Sequence, residues 1–197
     1  GWTYRNDGVD IEKFTDAVNS NGYMVGFVDT EDWMSYSVTI PQDSLYTIKV
    51  RQGCSGSTGG NFYFEADGVR LTPNYYATNT GSWTVMSTKT IPNVVLSADD
   101  KKIRFVANQG GFNVTSFEFV PTGSTTTINA EYVHSVTYDN STIEVQTNKP
   151  LDSANLGATA SYYVTVNGVP ASITSVAKSP SNSRNVLIGI GQALTFL

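Results

Sequence analysis

The segment GYMVGFVDTEDWMSYSVTI, Gly22 to Ile40, places Tyr23, Phe27 and Trp33 within one turn-and-strand unit beside Asp29, Glu31 and Asp32. Rings next to carboxylates suit the two-sided chemistry of a sugar. Its axial C–H groups form an apolar patch that stacks on a π cloud, while its hydroxyls seek planar amides and carboxylates. The same rings could instead pack a core, since Val25, Phe27 and Val28 are all apolar. The carboxylates at Asp29 to Asp32 could also be read as the acid and base of glycoside hydrolysis. They are nearly adjacent, however, and nothing supplies an enclosed cleft, so they read as a solvated turn. His134 is the only histidine and Cys54 the only cysteine. A His-based triad or zinc site has no second member, and no internal disulfide can form. Cys54, in Gly53-Cys-Ser-Gly-Ser, reads as an incidental loop thiol. Neither a catalytic residue nor a metal ligand is assigned.

The composition narrows the ligand class. Lys and Arg total 12 against 17 Asp and Glu, a net charge of -5, and charged residues make up only 15% of 197. No basic stripe is present to hold a phosphate backbone, which argues against nucleic acid. No apolar run reaches the ~20 residues of a membrane helix, and the first residues do not read as a signal peptide. Ser, Thr, Asn, Gly and Tyr must dominate the surface, which suits neutral sugars.

The elements that position these residues are strands. Met34, Tyr36, Val38 and Ile40 alternate with Trp33, Ser35, Ser37 and Thr39, the period of a half-buried strand. Alternation recurs over Tyr46–Arg51, Phe62–Asp67 (closed by Asp67-Gly68), Ile103–Ala107 and Thr115–Phe119. Only Val9 to Val18 could make a helical turn or two. Short alternating strands between Gly, Asn and Ser turns predict an antiparallel β-sandwich. The tract Pro121-Thr-Gly-Ser-Thr-Thr-Thr127 reads as a linker. Beyond it aromatics thin out and strands are predicted at Tyr132–Tyr138, Thr142–Thr147, Tyr162–Val166 and Ile173–Ala177. Asn167-Gly168 is a hairpin turn signal between Tyr162–Val166 and Val169–Ser175. The domain expectation is 1–121, a linker at 122–127, and 128–197.

Six ordered segments of the first unit carry a family likeness. They are Tyr4-Arg-Asn-Asp-Gly-Val-Asp-Ile-Glu12, Gly22–Asp29 with Asp32-Trp33, Tyr46 with Arg51, Thr80-Gly-Ser-Trp83, Ile103–Val106 and Gly110-Gly-Phe-Asn113. Together they resemble a family 6 carbohydrate-binding module. The second unit, with Asn148-Lys-Pro-Leu-Asp152, resembles bacterial immunoglobulin-like modules. The fold class implied is all-β, a jelly-roll β-sandwich followed by a smaller immunoglobulin-like β-sandwich, the second lacking a final strand where the chain stops at Phe196-Leu197.

The resemblance implies a non-catalytic role, holding a secreted or surface bacterial polysaccharide-degrading protein on its polysaccharide. Its loop-rim site would comprise Phe27 and Trp83 as facing rings, Asn113 as the deep amide, Glu12 as hydroxyl acceptor and Tyr23 as a flanking ring. Phe27 departs from the Tyr or Trp more usual in the family, which leaves stacking without a polar donor. Asn113-Val114-Thr115 is also a glycosylation sequon, and a glycan there would block the site. Trp33 and Tyr36 could line a second face or pack a core.

The family also begins with a Glu-Ala-Glu strand that supplies ligands to a structural calcium. This chain starts after that strand, and Thr115 stands where the family often has Asp, so calcium is implied by resemblance only. The expected consequence is a sheet edge completed by a neighbouring chain or segment, of which Ile128-Asn-Ala-Glu-Tyr132 has an echo. Two other roles stay open: a structural or adhesin segment, and a fragment of a glycoside hydrolase.

Overall fold

A computed structural model describes residues 10–18, 20–56, 59–123, 130, 132–151 and 153–194. The described chain is all-β, its only helical pieces the 3-10 turns Ser153–Asn155 and Thr159–Ser161. Cα packing divides it into two compact units. The first runs to Thr39 and takes in Ser44–Val94 and Asp100–Gly123; the second holds Ile40–Asp43, Val95–Asp99 and the chain from Ser124 onward.

Strands of the first unit are β1 (Ile11–Lys13), β2 (Tyr23–Val28), β3 (Trp33–Ser37), β4 (Ser44–Gly53), β5 (Asn61–Ala66), β6 (Val69–Arg70), β7 (Tyr75–Tyr76), β8 (Ser87–Leu96), β9 (Lys102–Gln109) and β10 (Phe112–Gly123). They form two antiparallel sheets, ordered β1-β2-β10-β4-β8 and β3-β9-β5-β6, with β7 paired to β5. This is a jelly-roll sandwich whose core is a cluster of phenylalanines. Phe62, Phe64, Phe105 and Phe112 are fully buried, and their ring centroids lie 5.0–6.3 Å apart in tilted and edge-on pairs, the arrangement favoured by ring quadrupoles. Phe117 and Phe119 extend the cluster from β10.

Alternation places most of these side chains, with one instructive exception. Val106 is on the outward phase of β9 yet only 6% exposed. It stands in cross-strand register with Trp33 on one side and Tyr63 on the other, and the two larger rings cover it. Trp33 and Tyr36, an odd number of residues apart, do not share a face. Tyr36 packs edge-on against Phe117 at 5.8 Å, whereas Trp33 lies outside with the Arg104 guanidinium 5.3 Å from its ring.

The sequence-based helical turn does not form where the chain is described. Ile11, Glu12 and Lys13 pair with Val25, Met24 and Tyr23 instead; Val9 lies outside the described residues. An isolated helix of two turns is marginal in water, and three strand pairings with burial outweigh it. Also outside the described residues are 4–9 of the first motif, 124–127 of the linker tract, 128, 129 and 131 of the Ile128–Tyr132 segment, and Phe196-Leu197.

The second unit contains β11 (Tyr132–Asp139), β12 (Thr142–Thr147), β13 (Val164–Val166), β14 (Val169–Ala171), β15 (Ile173–Lys178) and β16 (Asn185–Ile190). Four of these make an antiparallel sheet ordered β11-β12-β16-β15, and β13 and β14 a separate hairpin. Asn167 and Gly168 turn that hairpin with φ of 52° and 80°, the two left-handed positions a type I′ turn requires.

Candidate functional site

The site is built on an irregularity in β2. Phe112 is paired with Val28, and Val114 with Val25. Three steps on β2 therefore face two on β10, so β2 carries one extra residue, a β-bulge that re-aims a side chain. Phe27 takes up the bulge at φ 47°, a conformation uncommon for a bulky residue. Its ring is turned out of the sandwich and is 65% exposed. Strain of about 1–3 kcal/mol at such a residue is typical of functional sites. Gly26 completes the bulge: a Cβ there would lie 3.2 Å from Glu12 Oε2 and 3.8 Å from Asn113 Oδ1. The missing side chain is what leaves room for both polar groups over the bulge.

Trp83 arrives from a loop that is locally pinned. Gly81 has φ 76°, and its N–H donates to Asn79 Oδ1 at 2.8 Å. Thr80 N–H donates to the Cys54 carbonyl at 2.9 Å, and Thr80 Oγ1 accepts from Cys54 N–H at 3.1 Å. The backbone of the buried Cys54 thus anchors this loop. Beneath the loop lies Gly53, where a Cβ would sit 2.8 Å from the Val85 carbonyl and 3.2 Å from that of Trp83. Asn113, paired with Gly53 across the sheet, closes the latch. Its Nδ2 donates to the Trp83 carbonyl at 3.1 Å.

Asn113 is only 7% exposed, and with one amide hydrogen held by Trp83 its Oδ1 accepts no hydrogen bond from the described residues. That oxygen is not sealed from solvent, and so remains open to a ligand hydroxyl. A cavity of about 460 Å³ gathers Glu12, Phe27, Asp29, Trp83 and Asn113, a size within the usual range for small-molecule sites. Trp83 is 46% exposed. Among the described residues neither Phe27 nor Trp83 stacks on another ring. Tyr23 is not brought to this cavity; it starts β2 opposite Lys13.

The acidic turn belongs to the same rim. Asp29, Glu31 and Asp32 are exposed, but the turn is docked and not loose. Glu31 N–H donates to the Ala107 carbonyl at 2.7 Å, Ala107 N–H to that of Asp32 at 2.8 Å, and Gly110 N–H to Thr30 Oγ1 at 3.1 Å. Sequence reasoning missed Asp29 as a lining residue. Its position directly after the ring-bearing Phe27-Val28 was the available signal.

The implied calcium does not fit the described residues. Among them no three of His, Cys, Asp and Glu gather as a metal site. Thr115, where a carboxylate would be expected, offers a neutral hydroxyl 3.5 Å from the Arg51 carbonyl. Nearby, Arg51 holds Asp16 through Nε at 2.6 Å and Nη2 at 2.8 Å. That guanidinium keeps the Asp16 carboxyl below its ordinary range.

Known structures share this architecture. One is the C-terminal family 6 module of LamC, a marine laminarinase from Zobellia galactanivorans, at 25% identity and a TM-score of 0.51. The match covers 60% of this chain and 92% of that one. Another is module CBM6cm-2 of Cellvibrio mixtus lichenase 5A, in complex with cellotriose, at 30% identity and a TM-score of 0.50, covering 60% and 91%. No curated protein matches the chain at comparable significance. Residues 2–121 match the sequence model of the carbohydrate binding module family 6, a non-catalytic family that usually occurs in extracellular bacterial proteins, and to that family the chain belongs.

Proposed function

We propose that the first unit binds a neutral polysaccharide through an aromatic clamp at its loop rim, with Phe27 and Trp83 stacking a sugar and Asn113 and Glu12 reading its hydroxyls. One observation carries this: four residues from separate segments line a single cavity, with two exposed rings over a buried amide whose oxygen is open. The cellotriose-bound relative supports the ligand class. Tyr23 flanks the site at most, from outside its lining. Titration of the chain with cello- and laminari-oligosaccharides tests the proposal. Saturable binding that Trp83→Ala removes supports it, and binding indifferent to Trp83→Ala refutes it.

The wider role follows from this one: anchoring a secreted or surface polysaccharide-degrading protein to its substrate, with the second unit as an immunoglobulin-like spacer. A purely structural or adhesin role would leave the strained, exposed Phe27 without a use. The domain division at 122–127 belongs to the same proposal. So does completion of a sheet edge by a neighbouring chain or segment. Among the described residues β3 pairs on one side only, with β9, beside a cavity of about 380 Å³ lined by Met34, Tyr36, Val38, Phe117 and Phe119 among others. Sedimentation across a concentration series checks the edge: association weakened by a Ser35→Pro change in β3 supports it, and a strictly monomeric chain counts against a partner copy.

A further inference from the structure

The charged groups of the cavity are of one sign. Among the described residues the carboxylates of Glu12 and Asp29 have no hydrogen-bond partner, and the Asn113 Oδ1 has none. All three are acceptors. Neutral donors are also at hand: the Trp83 indole N–H has no partner among the described residues, Thr84 Oγ1 and Ser82 Oγ share one hydrogen bond at 3.1 Å, and Gly111 N–H is taken by the Val28 carbonyl at 2.9 Å. No Lys, Arg or His lines the cavity. A smaller cavity of about 90 Å³ beyond Phe27 is also lined by two carboxylates, Asp10 and Asp32, the second of which accepts from Asp29 N–H at 2.8 Å. Phe27 therefore stands between two acid-lined surfaces. The turn that carries Asp29 is fixed by its bonds to Ala107 and Gly110, so the backbone that bears this charge is held at the rim.

We infer that the clamp selects sugars by their charge: it ranks a glycan bearing protonated amino groups above its neutral counterpart, and refuses one bearing carboxylates or sulfates. This rests on the clamp reading above. The two carboxylates set like charge against a ligand carboxylate in a partly desolvated site, and no cationic side chain of the lining offsets it. A ligand ammonium, in contrast, supplies three donors, and its hydrogen bonds to a carboxylate are roughly twice as strong as neutral ones. Asp29, from the turn that first read as solvated, is the specificity-determining residue.

The test titrates the full chain with three oligomers, at low and at high ionic strength: cellohexaose, the β-1,4-glucosamine hexamer that differs only in the 2-substituent, and oligogalacturonate. The expected result at low ionic strength and mildly acidic pH is about tenfold tighter binding of the glucosamine hexamer than of cellohexaose, with no binding of oligogalacturonate. Salt should erode the preference, and Asp29→Asn should narrow it. Equal or reversed ranking of the first two, or binding of oligogalacturonate as tight as cellohexaose, overturns the inference. If Trp83→Ala still removes binding in that case, the clamp stands and only its selectivity is wrong. Ranking that survives Trp83→Ala places the ligands elsewhere and overturns both, as does a parent chain that binds none of the three.

Discussion

Trp83 and Asn113 are coupled, because the amide of one holds the carbonyl of the other at 3.1 Å. Trp83→Ala is expected to abolish measurable sugar binding with near-UV circular dichroism otherwise preserved. An aromatic face is worth about 1–3 kcal/mol in the analogous stacking of bases, and about 1.4 kcal/mol is tenfold in affinity. Asn113→Ala removes both the ligand acceptor and the latch, so binding should fall nearly as far and Trp83 fluorescence should shift toward that of a solvated indole. An unshifted spectrum would separate the two roles. Phe27→Ala should weaken binding, and Phe27→Tyr should be tolerated because an exposed ring has room for a hydroxyl. The amino-acid types were enough to nominate Phe27, Trp83, Asn113 and Glu12 through the family likeness. The residues alone left Phe27 undecided between core and ligand, since a bulge is invisible to a period-two count: one extra residue turns the ring to the other side.

Element by element, the strands were legible and their fastenings were not. Arg51 grips Asp16 with both carboxylate oxygens engaged, the Asp16 side chain only 5% exposed, and so ties the backbone around Asp16 to β4. Asp16→Asn should lower stability by about 1.5–3 kcal/mol, the range for hydrogen bonds to charged groups. Because the folded carboxyl lies below its ordinary 3.8, the stabilisation is fully present above that value and disappears as pH falls through the lower folded value. Melting curves of parent and variant should differ equally at pH 5 and 7 and converge below about pH 4; a gap that persists in acid would exclude ionisation as the source. The exposed Lys49–Glu118 pair at 3.1 Å should be worth ~1 kcal/mol at most. Gly60 is a steric matter: a Cβ there would overlap the carbonyls of Gln109 and Gly110. Gly60→Ala should therefore destabilise by about 1–3 kcal/mol, the range for overpacking, measurable by urea unfolding. Nothing local to Gly59-Gly60 announces that neighbour, which is some fifty residues away in sequence.

Over the whole molecule, limited proteolysis is expected to cut first between Pro121 and Ile128; resistance there with cleavage elsewhere would move the boundary. Incubation with plant and algal polysaccharides should release no reducing sugar, and release that Asp29→Ala removes would restore the hydrolase reading. What the sequence determined by itself was the class of the fold and the class of the ligand. Strand periodicity, the Asn167-Gly168 hairpin and a low-charge, aromatic composition are properties of neighbouring residues, and they persist whatever the long-range packing. The tertiary structure alone decided which rings share a cavity. Glu12, Phe27, Trp83 and Asn113 come from β1, β2, a loop and β10, and their meeting depends on a bulge, on two glycines that admit close approach, and on one amide closing a loop. Those are pairings between residues far apart in the chain, and no local pattern encodes them.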